Sequence, residues 1–315
     1  MATQKICILG GSGFVGSHLT ARLVEQGKQV TIATRRRERA KHLLPLPGVE
    51  VVEADIHDPQ ALKSLFAGQD AVINLVGILH GNRKAYEHNH AELPRKIVSA
   101  CHAAGIFRLL HMSALGADVN SPSLYQRTKA DGEAIVRAAE KTHHLHTTIF
   151  RPSVIFGPGD SFLNLFARLL KLAPIVPLAS GNTRFQPVYV GDVVRAFAQS
   201  LDDPATYGQT YSLCGPQVYS LAELVQLTAR TLGLKRSVIP LGQPASYLFA
   251  ALMELKPGRK LMTRDNYYAA LKDNVCPEGF PTLFGSATPL EAVIGYLKQA
   301  DPRCQYGRFR QLARR

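Results

Sequence analysis

From Lys5 to Phe150 the chain alternates short runs rich in β-branched residues with longer stretches whose apolar positions recur every three to four residues. KICIL, beginning at Lys5, predicts a first strand, and residues 14–26, with Leu19, Leu23 and Val24 at helical spacing, predict the helix after it. The same alternation predicts strands at QVTIA, VEVVEA, AVINLV, FRLLHMS and HTTIF. Helices are expected after Asp58-Pro59, from about Glu87 to Ala104, and from about Leu124 to Lys141. Strands that alternate with helices build a parallel sheet through crossovers of one hand, so the expected fold is α/β, a doubly wound sheet of about six or seven strands.

After Arg151-Pro152 the rhythm changes. Loops rich in Gly and Pro (FGPGD, LAPIVPLASGN) separate helices, and strand-like segments such as QTYSLC return only occasionally. This predicts a main domain over 1–157 and a smaller, mostly helical C-terminal domain over 158–315. Residues 184–215 are expected to return partly to the main sheet, because QPVYVGDVVRAFAQSL reads as one more strand and helix.

Composition narrows the class. A chain of 315 residues can bury roughly three quarters of its unfolded surface without a staple. With 46% hydrophobic and 19% charged residues it is neither disordered nor fibrous, and no apolar run approaches the ~18 residues of a spanning helix. The net charge of +13 attracts phosphates, acidic lipid or an acidic protein surface. No zinc-finger spacing, basic heptad or aromatic RNA-binding signature accompanies it, so nucleic acid is not an expected partner. Five scattered cysteines without a CxxC predict reduced thiols rather than a disulfide framework, and the first residues leave no room for a signal or transit peptide, so a cytoplasmic location is expected. All eleven histidines precede residue 147; His143-His144-Leu145-His146 and His88-Asn89-His90 are read as surface or packing histidines at a helix end and in an early helix, without a carboxylate or cysteine partner at ligand spacing, and no metal is expected. Ser113, Tyr125 and His111 do not suggest a hydrolase, because no GxSxG elbow is present.

Gly10-Gly11-Ser12-Gly13-Phe14-Val15-Gly16 follows the first expected strand and opens the first expected helix. In that context Gly10 permits a tight turn, Gly13 lets the backbone approach a pyrophosphate, and Gly16 lets the helix pack closely, with the anion on the helix N-terminus. An Asp or Glu at the end of the second strand would accept from the 2′-hydroxyl of NAD(H); here Ala33-Thr34 is followed by Arg35-Arg36-Arg37. Guanidinium groups suit a 2′-phosphate, so NADP(H) is the expected cofactor, held there by Arg35, Arg36 and Ser12, with NAD(H) disfavoured.

Tyr125 and Lys129 form a YxxxK pair, four residues apart and therefore on one helical face. Together with the glycine spacing, these motifs resemble the short-chain dehydrogenase/reductase superfamily, a Rossmann-type fold. The resemblance implies Tyr125 as general acid/base, Lys129 as the group that tunes it and binds the nicotinamide ribose, and Ser113 as the hydroxyl that polarises the substrate oxygen. It also implies an adenine contact at Asp55-Ile56 and, beside the adenosine ribose, the fourth-strand segment Asn74-Leu75-Val76-Gly77, with Leu75, Val76 and Gly77 as cofactor contacts. The segment Arg151-Pro152-Ser153-Val154 resembles the loop by which extended members cover the nicotinamide, which adds Pro152 and Val154, and Pro187–Val193 resembles their PxxVxDV element.

Ala114-Leu115-Gly116 after Ser113, the short Ser-to-Tyr gap, and Thr183-Arg184-Phe185-Gln186 in place of an RDF order depart from nucleotide-sugar enzymes. These features, with Leu261–Asn266, Asp273–Val275 and Thr288–Glu291, resemble the atypical epimerase/dehydratase-like branch that contains the nucleotide-binding accessory subunit of respiratory complex I and its bacterial relatives. Two functions follow. One is an NADP(H)-binding oxidoreductase of a carbonyl or hydroxyl substrate. The other is a non-catalytic accessory or assembly protein with NADPH as a structural ligand. A nucleotide-sugar epimerase is disfavoured. The apolar stretch ASYLFAALMEL, its basic flank Lys256–Lys260 and the arginine-rich tail from Arg303 offer a further expectation: a lid or core helix, or attachment to a respiratory complex or the inner face of a membrane.

Overall fold

A computed structural model describes residues 3–255 and 260–299. The basic flank at 256–259 and the tail at 303–315 lie outside the described residues.

The chain divides into two compact units. The first takes in Met1–Pro152, Val190–Leu213 and Pro281–Gly285, and the second takes in Ser153–Tyr189, Cys214–Phe280 and Ser286–Arg315, each in its described part.

The first unit is built on seven parallel strands: β1 (Lys5–Leu9), β2 (Gln29–Thr34), β3 (Val49–Glu53), β4 (Ala71–Asn74), β5 (Arg108–Met112), β6 (His146–Pro152) and β7 (Gln209–Leu213). Their spatial order is β7-β6-β5-β4-β1-β2-β3, so the order reverses where β1 pairs with both β2 and β4. β1 and β4 are apolar along nearly their whole length because helices cover both faces of the sheet. Helices α1 (Phe14–Glu25), α2 (Pro59–Phe66), α3 (Leu93–Ala104), α4 (Leu124–His143) and α5 (Val190–Ser200) supply that cover. α2 begins where Asp58 accepts from the Gln60 N–H at 3.0 Å and Pro59 occupies a position that needs no N–H. Cys7, Leu9, Leu62, Phe66, Ile97, Cys101, Leu109 and Val136 form one continuous core between sheet and helices.

At the β5–β6 edge the core holds a charge. Arg108 is buried and donates to the carbonyl oxygen of His146 at 3.0 Å, to Thr148 Oγ1 at 2.8 Å, to Thr206 Oγ1 at 3.0 Å and to the carbonyl oxygen of Ser200, while its guanidinium lies 4.6 Å from the Tyr207 ring centre. Neighbouring strands and the turn before β7 are joined through this one side chain.

The second unit contains three two-stranded sheets: Ile155–Phe156 with Val188–Tyr189, Ile175–Leu178 with Ser237–Pro240, and Arg184–Phe185 with Tyr219–Ser220. Helices Leu163–Leu172 and Leu221–Thr231 pack Phe166, Leu170 and Val225 into its core. The strand expected in QPVYV pairs with Ile155–Phe156 rather than with the main sheet, whereas the helix after it, α5, belongs to the first unit.

Cysteine usage differs from the sequence expectation in one place. Cys214 and Cys276 are joined as a disulfide, with Cα atoms 6.2 Å apart, and Cys7 and Cys101 are buried free thiols. Gln186 explains the approach: its Oε1 accepts from the Cys276 N–H at 2.8 Å and its Nε2 donates to the Gly215 carbonyl at 2.7 Å, drawing two distant segments together.

Candidate functional site

In a parallel sheet every strand ends at the same edge, and the loops that leave this edge of the sheet carry most of the expected site. Gly10 follows β1, Arg35 follows β2, Asp55 lies just beyond β3, Leu75 follows β4, Ser113 follows β5 and Pro152 ends β6. Ligands of doubly wound sheets bind at this edge, at the point where strand order reverses.

The glycine turn is sterically determined. Gly10 has φ of +85°, and a β-carbon there would stand 3.2 Å from the Leu75 carbonyl carbon. At Gly16 it would stand 2.6 Å from the Gly11 Cα, so α1 can seat on the turn only without a side chain. Gly11 has a similar need, because its β-carbon would lie 2.9 Å from Ile32 Cγ2. The Gly13 N–H donates to the Gly10 carbonyl at 3.0 Å and closes the turn. Gly13 caps α1 without a side-chain acceptor, and the first turn carries no acidic residue. Its leading amides at Phe14 and Val15 have no carbonyl of their own helix to meet, which leaves donors and the positive end of the dipole for an anion.

Beyond β2, Arg35, Arg36 and Arg37 are exposed, and among the described residues neither Arg35 nor Arg36 is in an ion pair. Thr34 Oγ1 donates to the Arg36 carbonyl at 3.1 Å, and Glu53 Oε2 accepts from the Arg37 N–H at 3.2 Å, so backbone bonds set the course of this loop while the side chains stay in solvent. Ser12 is half-buried in the turn. Asp55 spends one oxygen on the His57 N–H at 3.0 Å, and Ile56 packs on the core.

Ser113, Tyr125 and Lys129 occupy three different environments. The Ser113 N–H donates to the Phe150 carbonyl at 2.7 Å, fixing the end of β5 against β6, while its buried Oγ has no protein partner among the described residues. Tyr125 is half-buried in the first turn of α4, which Ser123 caps. Lys129 is buried one turn later, and its Nζ donates to the Met112 carbonyl at 2.7 Å, one residue before Ser113. Burial pulls its pKa down to about 8, against the opposing pull of Glu133. Glu133 is itself held by Arg151, with Nε at 2.8 Å from Oε1.

Contacts link the turn to this helix in an unbroken line. Gly10 abuts Leu75 and Val76, and a β-carbon on Gly77 would stand 3.8 Å from Lys129 Nζ and from His90 Nε2. The His90 ring meets Tyr125 edge-on at 5.4 Å between centres. The structure thus brings Gly10, Leu75, Val76, Gly77, Lys129 and Tyr125 together. Arg35, Arg36, Asp55 and Ile56 sit at the same sheet edge and, among the described residues, make no hydrogen bond or ion pair to that line. Pro152 accepts the Leu115 N–H through its carbonyl at 2.9 Å, and Val154 belongs to the second unit, where its carbonyl accepts from the Val188 N–H at 2.9 Å.

Three further residues have bonds that the sequence did not assign to them. Asn74 Oδ1 accepts from the Val76 N–H at 3.1 Å, which orients its amide so that Nδ2 faces His111 Nδ1 at 3.1 Å. His111 is thereby left with its proton on Nε2, a buried atom without a partner among the described residues. His90 lies in a π-turn (His88–Glu92) between two α-helical segments and is also buried. Desolvation first, then Lys129, pull the His90 pKa down to about 3, and the same causes with His90 lower that of His111 far below its usual value. Lys129 is therefore the one charged group of the three at neutral pH. Among the described residues no cluster of three or more histidine, cysteine or acidic side chains could hold a metal, and no helix is long and apolar enough to cross a membrane.

Comparison with known proteins agrees with this architecture. Residues 6–214 match the model of the NAD dependent epimerase/dehydratase family. The chain is 35% identical over 229 residues to the NADH dehydrogenase [ubiquinone] 1 alpha subcomplex subunit 9, mitochondrial, of Arabidopsis thaliana, covering 70% of this chain but only 56% of that protein's length. It is 29% identical over 259 residues to the ceramide reductase of Caulobacter vibrioides, covering 81% of this chain and 80% of that one. Among solved structures, the UDP-glucose 4-epimerase of Thermotoga maritima superposes with a TM-score of 0.73 at 17% identity, over 94% of this chain and 98% of that one, a likeness of fold. With its glycine turn, YxxxK helix and reversed strand order, the chain belongs to the NAD dependent epimerase/dehydratase family, within the short-chain dehydrogenase/reductase superfamily.

Proposed function

We propose that the chain binds a nicotinamide dinucleotide, NADP(H) in preference to NAD(H), and uses it in oxidoreduction of a carbonyl or hydroxyl group. The observation that carries this reading is the line of contacts from the glycine turn through Gly77 to Lys129, flanked by a buried Ser113 Oγ that has no protein partner among the described residues. The fit is specific: side chains at Gly10 and Gly16 would fill the turn, the first amides of α1 are donors without helical acceptors, and a buried hydroxyl awaits an acceptor. The exposed Arg35 and Arg36 are suited to the extra phosphate of NADP(H), with Ser12 beside the turn.

When bound, the nicotinamide supplies or accepts the hydride. The protein's own groups handle the proton. Lys129, an ammonium in a low-dielectric setting, binds the ribose hydroxyls and favours the phenolate form of Tyr125. Tyr125 Oη delivers its proton to the substrate oxygen as charge develops there, and Ser113 Oγ–H donates to that same oxygen. Purified protein titrated with NADPH and NADH, then mixed with aldehydes, ketones or quinones, tests this reading. Binding of NADPH with oxidation of its nicotinamide is expected. Tyr125→Phe should lower turnover about 10²- to 10⁴-fold while leaving affinity within about twofold.

A second reading has its own support. The Arabidopsis relative is named as a subunit of NADH dehydrogenase, and on this reading the nucleotide is a structural ligand in an accessory protein associated with a respiratory complex or a membrane surface. Helix Gln243–Leu255 of the second unit exposes Leu248, Leu252 and Leu255, a face suited to such attachment. NADPH binding without turnover across the same carbonyl panel favours this reading over the first.

A further inference from the structure

His90 is bonded on both ring nitrogens, and the two bonds fix its protonation. The Ile78 N–H donates to Nε2 at 3.1 Å, so that nitrogen must present a lone pair. Thr128 Oγ1, which donates to the Leu124 carbonyl at 2.9 Å, faces Nδ1 at 3.0 Å and therefore accepts from it. The ring is accordingly a neutral imidazole with its proton on Nδ1. One partner belongs to the loop after β4, the other to the helix that carries Tyr125 and Lys129. Tyr86, from the same helical stretch, donates to the Leu79 carbonyl at 3.1 Å and pins the next residue of that loop.

The π-turn makes this possible. Inserting one extra residue per turn redirects the side chain, and the turn seats against Gly132, where a β-carbon would collide with the His90 carbonyl. Ionisable groups packed around the ring are Lys129 and Tyr125 from α4, Tyr86 from its own stretch and His111 from β5, with Glu133 acting on Lys129.

We propose that His90, as a neutral Nδ1–H imidazole, is a positioning residue that ties the loop Leu75–Leu79 to α4, so that the nucleotide's ribose meets Lys129 and Tyr125 at a fixed spacing. The proposal deepens the nucleotide-binding reading and rests on it. Charge enters as well: a second cation beside Lys129 would oppose its ammonium, and the bond from Ile78 excludes one.

His90→Leu removes both bonds at similar volume, whereas His90→Gln can still accept from Ile78 and donate to Thr128. NADPH titration of the folded variants is expected to give an affinity about tenfold weaker in His90→Leu and within about twofold of the unaltered protein in His90→Gln. Nitrogen-15 histidine spectra of the unaltered protein are expected to contain one ring, absent in His90→Gln, that is protonated on Nδ1 and does not titrate between about pH 5 and 8. Equal affinity in all three proteins overturns the proposal, as does a His90 ring protonated on Nε2 or titrating in that range. Failure of the unaltered protein to bind either nucleotide overturns the parent reading itself. The spectra need no variant to bind nucleotide, so they decide the tie even where His90→Leu does not fold.

Discussion

Two cationic regions frame the proposed nucleotide site, and they hold their charge in opposite ways. Lys129 is buried, bonded to one backbone carbonyl and pulled to a pKa of about 8 by desolvation. Arg35 and Arg36 are exposed on a loop whose course is set by backbone bonds rather than by their side chains. A buried ammonium is costly to fold but is precise in position and little screened, which suits a group that must act on one phenol and one ribose. Exposed guanidinium groups cost little and remain free to close on a phosphate, which suits selection between two nucleotides that differ only there.

The largest effect should come from the buried end. Lys129→Met removes the one charged group of the Lys129, His90 and His111 set, and NADPH affinity is expected to fall about tenfold to a hundredfold, read by fluorescence titration, with turnover falling at least as far. Reversing the exposed pair, Arg35→Asp with Arg36→Asp, should weaken NADPH about tenfold and leave NADH within about twofold, and the NADPH loss should shrink as salt rises. An unchanged preference between the two nucleotides would remove the arginines from the account. The smallest effect is that of pH. Because the folded pKa of Lys129 lies below its usual value, its ammonium persists below about 8 and is lost as pH rises through that value, so affinity should decline above it by no more than tenfold per unit. Loss of affinity on acidification instead would show that another group governs binding.

How much of this was legible in the sequence depended on whether the information was local. Asp58-Pro59 starts α2, the alternation of strands and helices marks the sheet, and Tyr125 and Lys129 announce themselves by spacing, because each of those signals lies within one element. The helix expected from Glu87 to Ala104 is instead interrupted by the π-turn at His88–Glu92, which packs against a glycine, Gly132, on another helix about forty residues away. The bonds of His90, Asn74 and His111 were not legible for the same reason: each is exchanged with residues far along the chain. The disulfide joins positions with a sequence separation of 62, and no CxxC spacing could have revealed it. Val188–Tyr189 reads as a strand but gives no hint of which sheet accepts it.

On the proposed reading the turn from Gly10 to Gly16 receives a pyrophosphate while Arg35 and Arg36 take an additional phosphate. A crystal structure of the protein grown with NADPH tests it most directly. The account predicts diphosphate density over the Phe14 and Val15 amides, ribose density beside Lys129, and a 2′-phosphate between the two guanidinium groups. A nucleotide bound elsewhere, or a turn left empty at saturating NADPH, would contradict it.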